Sequence, residues 1–214
     1  MKADSLHMVK VFSSGGDVHY VLPHFQREYA WEKPEWQTLM KDIFSVYEIY
    51  DEEQPPEHFM GSLVVIYDGT QAGTVPVFRL VDGQQRLATI SLLLCALGRL
   101  LDGDHASLQR KVRRMLVNQD ESGNLYYKLL PTLKYGDRVS YCAIIDNKAP
   151  PTGVESKIPL AFDYLTTQLG NRFKSGDVDP NRLFNVLMTS LQVVFINLNQ
   201  NERPYEIFES LNYK

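Results

Sequence analysis

Positions 75–90, with the sequence VPVFRLVDGQQRLATI, constrain the fold more than any other segment of the chain. The first half is rich in Val, Phe and Leu and predicts a strand, and the Asp82-Gly83 turn leads directly into a helical pattern that begins with two glutamines and Arg86. The first backbone N–H groups of such a helix have no partner within the helix, and the helix dipole favours an anion there. Gly83 has no Cβ, so it lets a ligand approach the backbone closely. The junction therefore predicts a phosphate-binding site beside a fixed cation.

A second interpretation of the same junction is purely structural. Asp-Gly followed by polar residues is an ordinary helix start, in which the Asp82 carboxylate caps its own helix. Both interpretations predict the same strand, turn and helix, and they differ only in whether the helix N-terminus is available to a ligand. The junction alone leaves both open.

Composition limits the classes of protein to which the chain can belong. Its 214 residues are 44% hydrophobic, which suits one substantial domain or two small ones with an ordinary buried core. The formal net charge of −4 excludes a globally basic nucleic-acid-binding protein, so any contact with DNA or RNA must be local.

Cysteine usage and the apolar runs indicate the compartment. Cys95 and Cys142 are not spaced for a metal site or a disulfide framework. The most apolar run, 87–97, is too short to span a bilayer, and the N-terminus lacks the features of a signal peptide. We therefore expect a soluble cytoplasmic protein that does not bind a membrane.

Hydrophobic periodicity predicts a mixed α/β fold with a small sheet and several helices. Strands are predicted at 18–22, 59–67, 75–81 and 192–198, with a strand or extended segment at 125–133. Helices are predicted at 34–50, 84–101, 106–117, 137–145, 156–173 and 180–190, and Asp137 is expected to cap the fourth of them. The helix at 84–101 is apolar on most faces, so we expect it at the centre of a single domain in which about 102–190 form a helical insertion.

A second cluster of functional candidates lies at 23–31, PHFQREYAW, just before the first long helix. Arg27 follows Gln26 and stands between aromatic residues, which predicts a guanidinium fixed in place to bind a phosphate or a carboxylate. Arg27 and Arg86 would then hold the same polyanion from two sides. The aromatic members are individually more typical of core packing; they are Phe25, Tyr29 and Trp31.

Two further patterns have both a functional and a structural interpretation. The predicted helix at 106–117 carries a basic group that is either a contact surface for nucleic-acid backbone or a solvated helix face; its members are Arg110, Lys111, Arg113 and Arg114. Near the C-terminus, Glu209 and Asn212 share one face of a predicted helix that begins at Pro204. A carboxylate and an amide in this arrangement suit a magnesium-bound or attacking water, or are simply exposed.

Four segments, in this order, resemble the N-terminal domain of the GmrSD and SspE-like family of restriction proteins. They are FQREYAW at 25–31, FMGSL at 59–63, VDGQQRL at 81–87 and IFESLN at 207–212. The resemblance covers nearly the whole chain, and the Asp-Gly-Gln-Gln-Arg string is its most specific part. It implies a ParB/sulfiredoxin-like α/β core with additional helices.

The resemblance also implies a function. Members of the family are antiviral defence proteins that act on modified DNA, and several bind and hydrolyse a nucleoside triphosphate such as GTP or ATP. An HNH-type nuclease domain commonly follows this domain, whereas the five histidines of this chain do not form such a pattern. We therefore expect the nucleotide-hydrolysing sensor part, at the N-terminus of a longer protein, with modified DNA and a C-terminal nuclease domain as partners.

Matching positions give the expected site residues. The nucleotide would be held by Gln26, Arg27, Gly83 and Asn212, and the residues expected to act in catalysis are Asp82, Gln84, Gln85, Arg86 and Glu209. Asp82 would also hold magnesium, the expected cofactor, because hard cations take oxygen ligands. The triphosphate would lie on the N–H groups after Gly83, where positioning and charge stabilisation dominate phosphoryl transfer.

Two other functions remain open from the residues alone. In the first, the chain is a recognition module for modified DNA, for example a phosphorothioate backbone, without catalysis of its own, and the contacts come from Tyr29, Trp31 and the basic group at 110–114. In the second, the domain nicks DNA directly, although the sequence offers no carboxylate cluster or histidine nucleophile for that reaction. The sequence does not specify the nucleotide base, the DNA modification or the oligomeric state.

Overall fold

The computed structural model of the chain describes residues 2–13, 17–23, 26–71, 75–119 and 123–199. Its strands are β1 (Lys2–His7), β2 (His19–Val21), β3 (His58–Gln71), β4 (Val75–Asp82), β5 (Val117–Gln119), β6 (Leu125–Tyr127), β7 (Leu129–Leu130) and β8 (Leu191–Leu198). Its α-helices are α1 (Met8–Ser13), α2 (Lys33–Glu48), α3 (Gln84–Leu100), α4 (Ala106–Leu116), α5 (Asp137–Ile145), α6 (Ile158–Ser175) and α7 (Pro180–Asn185). Two 3-10 turns, Gly103–His105 and Lys134–Gly136, and a π-helical turn, Val186–Ser190, complete the regular structure described.

A six-stranded mixed sheet organises the fold, with the strand order β1-β8-β3-β4-β2-β7. β3 and β4 form an antiparallel hairpin, whereas β3 pairs with β8 in parallel and β2 pairs in parallel with both β4 and β7. β1 lies at one edge as the antiparallel neighbour of β8, and β5 with β6 forms a separate two-stranded sheet. The mixed α/β class is therefore confirmed, and β8 joins the earlier hairpin as predicted.

Helix α3 lies at the centre of the fold because nearly all of its side chains are apolar or small. Between Gln84 and Leu97 every side chain except that of Arg86 is buried. The helix packs against α4, α5 and α6. Burial of α3 anchors the β4–α3 junction in the interior of the molecule and fixes the direction in which the helix N-terminus points.

The structure also contains elements that the sequence pattern did not predict. β1 is exposed over most of its length, so it lacks the alternation of a half-buried strand and is held by its ladder with β8. The helix predicted at 180–190 ends at Asn185, and a π-helical turn leads from there into β8. The segment predicted as a helical insertion, 102–190, includes β7, which returns to the main sheet beside β2.

Asp137 begins α5 as predicted, but the prediction that its side chain caps the helix is wrong. Gly136 occupies the N-cap position with a left-handed backbone, and no side-chain bond caps the helix. The Asp137 carboxylate is buried and accepts bonds from the Tyr29 backbone N–H at 2.6 Å and from the Ser156 hydroxyl at 2.5 Å. Burial raises the pKa of this carboxyl. Asp137 therefore connects the loop before α2 to the segment before α6.

His19 introduces a pH-dependent contact into the sheet. The side chain of this β2 residue is 6% exposed, and its Nδ1 lies 2.6 Å from the backbone carbonyl oxygen of Tyr127. Burial lowers the pKa of His19 below its usual value of 6.5, and the Arg138 charge acts in the same direction. The unfolded chain then takes up a proton at higher pH than the folded chain. The contribution of neutral His19 to the free energy of unfolding is therefore complete above the pKa that His19 has in the unfolded chain. It is lost as the pH falls towards the lower pKa that His19 has in the folded chain.

We expect His19→Gln to flatten the acid side of the stability curve. Between about pH 7 and pH 5 the free energy of unfolding of the parent chain should fall more steeply than that of the variant, by up to about 1.4 kcal/mol per pH unit. Urea unfolding followed by circular dichroism at closely spaced pH values measures both slopes. Identical slopes would show that His19 does not carry this dependence.

Candidate functional site

The β4–α3 junction is shaped by the adjacent strand β3. Gly83 has φ +86° and is the N-cap residue of α3. A Cβ at this position would lie 2.8 Å from both the Leu63 side chain and the backbone carbonyl oxygen of Ser62. The turn therefore requires glycine for two reasons, the left-handed backbone and the close approach of β3. The atoms that come close to Gly83 belong to the protein itself.

The first turn of α3 has unpaired backbone donors. The first backbone bond into the helix runs from the Leu87 N–H to the Gly83 carbonyl oxygen at 3.0 Å, and among the described residues the N–H groups of residues 84–86 have no acceptor. The Asp82 carboxylate does not cap them, so the interpretation in which Asp82 caps its own helix is wrong. Instead, one Asp82 oxygen accepts a long bond from the Ser62 hydroxyl at 3.4 Å. No described side chain therefore neutralises the positive end of the helix dipole.

Gln85 connects the loop before α2 to the start of α3. Its Oε1 accepts from the backbone N–H groups of Ala30 at 2.8 Å and Trp31 at 3.3 Å, and its Nε2 donates to the Glu28 carbonyl oxygen at 2.9 Å. The side chain is buried. Because its amide bonds are made to the loop backbone, the structure gives Gln85 the role of positioning that loop.

Gln26 makes a second connection between the same loop and the junction. Its Nε2 donates to the Val81 carbonyl oxygen, directly before the turn, at 2.9 Å. The next residue, Arg27, is exposed, and within the described residues it has no hydrogen-bond or ion-pair partner. An unpaired guanidinium is thus carried on a loop that two amide side chains fix to the β4–α3 junction.

Gln84 lies inside the protein. Its side chain is buried, and its Oε1 has no hydrogen-bond partner among the described residues. It lines an internal cavity of about 10 Å³ together with Tyr29 and Asp137. A volume of that size suits a single water molecule, for which a buried amide oxygen is a favourable partner. The structure therefore separates Gln84 from the accessible groups of the junction.

Arg86 combines partial burial with access to a surface cavity. Its Nη1 donates to the Ser62 carbonyl oxygen at 3.0 Å, and its guanidinium packs against Gly61 of β3. Burial lowers the pKa of Arg86, and the Asp82 carboxylate acts in the opposite direction. A guanidinium already held in one orientation loses little conformational freedom when it binds an anion.

The cavity beside Arg86, called the α2 cavity below, has a volume of about 320 Å³, which is within the usual range for small-molecule sites. The other residues that line it come from the loop between β2 and α2, from α2 itself and from the start of β3. They are Trp31, Pro34, Glu35, Thr38, Leu39, Asp42, His58, Phe59 and Met60. The Phe59 side chain is 62% exposed. Arg27 does not line the α2 cavity, so this cavity brings together only one of the two candidate arginines.

Comparison with known families decides what kind of domain this is. Residues 8–214 match the family described as GmrSD restriction endonuclease, N-terminal domain. The chain belongs to this family. A search of the curated proteins found no match.

As a GmrSD N-terminal domain, the chain is part of a restriction protein family, and the resemblance of its four segments is confirmed. Among the helices of the described ranges, none is long and apolar enough to cross a membrane.

The two described aromatic residues of the GmrSD-type loop have different environments. Tyr29 is 4% exposed, its hydroxyl lies 2.6 Å from Thr89 Oγ1, and it accepts a bond from Trp36 Nε1 at 2.9 Å. Tyr29 therefore packs in the core between α2 and α3, away from any surface that DNA reaches. Trp31 is partly buried and lines the α2 cavity. Phe25 lies outside the described residues.

The basic residues of α4 are also divided by their contacts. Arg113 Nη1 donates to the Ile145 carbonyl oxygen at 2.6 Å, where it stabilises the C-terminal end of α5. The other members of the basic group are exposed, namely Arg110, Lys111 and Arg114. Three charges therefore remain on the surface of α4 for an external partner.

The metal and nucleophile candidates are few. In the described part of the chain, no group of three or more His, Cys, Asp or Glu residues could hold a metal ion. Asp82 alone suits magnesium that arrives with phosphates, since Mg²⁺ commonly takes one or two carboxylates together with substrate oxygens. Burial raises the pKa values of the Cys95 and Cys142 thiols, which disfavours thiolate chemistry. Glu209 and Asn212 fall outside the described residues, and their roles stay predictions.

Sequence reasoning assigned no role to Gly61 and Ser62, the two β3 residues that contact the Arg86 guanidinium. A signal was present, because a glycine inside a β-rich run usually marks a bulge or a close approach. The carboxylates of Glu35 and Asp42, which line the α2 cavity, were also missed, since nothing local distinguishes them from other exposed acidic residues on a helix.

We expect Gly83→Ala to lower the free energy of unfolding by about 2–4 kcal/mol, because the cost of left-handed backbone strain and the cost of overpacking against β3 are added together. The control is Gly176→Ala after α6, where φ is +77° and no atom of the described part of the chain lies within 4 Å of the added Cβ. For the control we expect a loss of about 1 kcal/mol from backbone strain alone. Urea denaturation measures both changes, and equal losses would mean that β3 accommodates the methyl group without cost.

Proposed function

We propose that this domain binds and hydrolyses a nucleoside triphosphate and acts as the sensor part of a modification-dependent restriction protein in antiviral defence. The observation that carries the proposal is the position of Arg86, a partly buried cation that lines the α2 cavity and belongs to the first turn of α3, whose leading N–H groups have no acceptor among the described residues. Helix dipole, free N–H groups and a fixed guanidinium together favour a polyphosphate. Family membership supports the restriction context.

In the proposed complex the phosphates lie on the N–H groups of residues 84–86, with Arg86 beside the transferred phosphoryl group. The guanidinium offsets the negative charge that develops there, and because Ser62 already holds it, little reorganisation accompanies the reaction. Arg27 serves as a second cation along the phosphate chain. Magnesium bound with the nucleotide would neutralise further phosphate charge, and Asp82 is the residue that would hold it.

The α2 cavity offers room for the nucleoside part of the ligand. The exposed Phe59 ring and the Trp31 side chain provide aromatic surface on which a base can stack. Glu35 and Asp42 repel phosphates and accept hydrogen bonds from ribose hydroxyls or base N–H groups. This distribution of charge favours a ligand with its phosphates towards α3 and its nucleoside towards α2.

Phosphate release from ATP, GTP, CTP and UTP, with and without modified DNA, tests the proposal. We expect Arg86→Ala to lower turnover by about 100-fold or more, because it removes the fixed charge next to the reacting phosphoryl group. The Tm should fall only by a few degrees, since the described side-chain bond that is lost is the one to Ser62. Arg27→Ala should weaken nucleotide binding with no change in Tm.

The matched control is Arg79→Ala in β4. Arg79 is also a partly buried arginine, but it lies in β4 before the turn, and its Nε donates to Asp68 of β3 at 2.8 Å. Its loss should leave turnover unchanged. Normal turnover in Arg86→Ala, or no release from any of the four nucleotides, would contradict the proposal. A large loss of Tm in Arg86→Ala would instead identify the residue as a structural contact.

A second candidate function is recognition of modified DNA without catalysis. It is favoured by the exposure of Arg110, Lys111 and Arg114 on α4, which carry positive charge on a chain that is negative overall. Contacts of this kind to phosphates give affinity and orientation, whereas discrimination of the modification requires contacts to the modified group itself.

Gel shifts of modified and unmodified duplexes across a salt series test this candidate. Replacing Arg110, Lys111 and Arg114 together by Ala should weaken binding to both duplexes and reduce the slope of log affinity against log salt by about 2–3, since each phosphate contact contributes about 0.9. A triple variant that binds with the parent slope would exclude α4 as the DNA contact.

A further inference from the structure

Strand β3 contains two glycines with nearly the same positive φ angle. Gly61 has φ +95° and Gly69 has φ +99°. Each lies within an irregularity of the sheet, because the register with β8 shifts between Phe59 and Ser62 and the register with β4 shifts between Tyr67 and Thr70. Both positions are therefore bulges that strongly favour glycine for the backbone alone.

The surroundings of the two glycines differ. A Cβ on Gly61 would lie 2.8 Å from Arg86 Nη2, 3.0 Å from Cζ and 3.1 Å from Nη1. At Gly69 no atom of the described residues lies within 4 Å of the corresponding position. The guanidinium of Arg86 thus fills the space that a side chain would occupy at Gly61, whereas no described atom does so at Gly69.

The residue after Gly61 completes the contact. The Ser62 carbonyl oxygen accepts the bond from Arg86 Nη1 at 3.0 Å. Gly61 leaves room for the guanidinium on one side, and Ser62 fixes one of its nitrogens by a hydrogen bond. Two consecutive residues of β3 therefore define where the charge of Arg86 lies relative to the first turn of α3.

We propose that Gly61 is a positioning residue for Arg86. By leaving room for the guanidinium, Gly61 keeps it in the orientation that serves the nucleotide site. The catalytic consequence rests on the proposed function, whereas the coupling between Gly61 and Arg86 does not. A methyl group at position 61 displaces the guanidinium from its place against β3 and from the Ser62 carbonyl oxygen. The bulge in the FMGSL segment is thereby linked to the arginine of the DGQQR segment.

The experiment compares Gly61→Ala with Gly69→Ala. The two variants place alanine at nearly the same positive φ in the same strand, so their difference reports mainly the contact with the guanidinium. We expect Gly61→Ala to lower the kcat of phosphate release by about 10-fold or more, as a misplaced charge loses its effect on the transition state. Gly69→Ala should remain within about two-fold of the parent chain. Equal activities of the two variants would overturn the proposal.

A thermal double-mutant cycle tests the coupling without nucleotide. In the parent background, Gly61→Ala should lower the Tm by about 2–4 °C beyond the drop caused by Gly69→Ala, since only the first displaces the guanidinium from its bond to the Ser62 carbonyl oxygen. In the Arg86→Ala background the two glycine variants should lower the Tm equally, because the obstructing guanidinium is gone. An excess loss at position 61 that persists without Arg86 would overturn the proposal.

The outcomes also separate this inference from the proposed function. If the parent chain releases no phosphate, the proposed function fails and the thermal cycle still decides whether Gly61 positions Arg86. If Gly61→Ala does not fold but Gly61→Ala with Arg86→Ala does, the coupling is supported. If both fail to fold while Gly69→Ala folds, the proposal is overturned, because the strain then does not come from the guanidinium.

Discussion

The close packing of β3 against the β4–α3 junction is the constraint on which the rest of the candidate site depends. The Ser62 carbonyl oxygen both approaches Gly83 and accepts the bond from Arg86, and Gly61 leaves room for the guanidinium. Antiparallel pairing of β3 with β4, in which Val64 lies opposite Asp82, brings these backbone atoms to the junction. A slip of one residue between the two strands would exchange the faces of all their side chains and remove these contacts.

The polar residues of the Asp-Gly-Gln-Gln-Arg string divide into two groups, and burial decides the division. Gln84 and Gln85 are buried, but of the two only Gln85 has side-chain hydrogen bonds among the described residues, and it uses them to hold the loop that carries Arg27. Asp82 and Arg86 keep partial exposure and are the groups that a ligand can reach. The Asp-Gly-Gln-Gln-Arg string therefore also assembles the site, because the buried amide of Gln85 is satisfied by backbone atoms of the loop.

Helices and strands with a long hydrophobic pattern could be predicted from the sequence, whereas strands that form only because they pair with a neighbouring strand could not. Helix α3 and the β3–β4 hairpin were predicted within a few residues because their apolar patterns are long. β1, which is polar, carries too little pattern to be recognised, and it exists because β8 offers a ladder. β7 lies within the strand or extended segment predicted at 125–133, but its two residues carry too little pattern to give its bounds or its pairing with β2. Of the candidate site, the residue types at the junction were predicted, whereas the contribution of β3 and the acidic wall of the α2 cavity were not.

The sequence by itself determined the family, the mixed α/β class and the strand–turn–helix junction with its glycine and its arginine, because these depend on local patterns and residue types. Only the tertiary structure decided that Tyr29 is a core residue, that Gln84 faces inwards and that Arg86 lines a cavity while Arg27 does not. Arg86 and Ser62 are separated by 24 positions, and Tyr29 and Asp137 by 108. No local pattern specifies such contacts, since they depend on how distant strands and helices pack against one another.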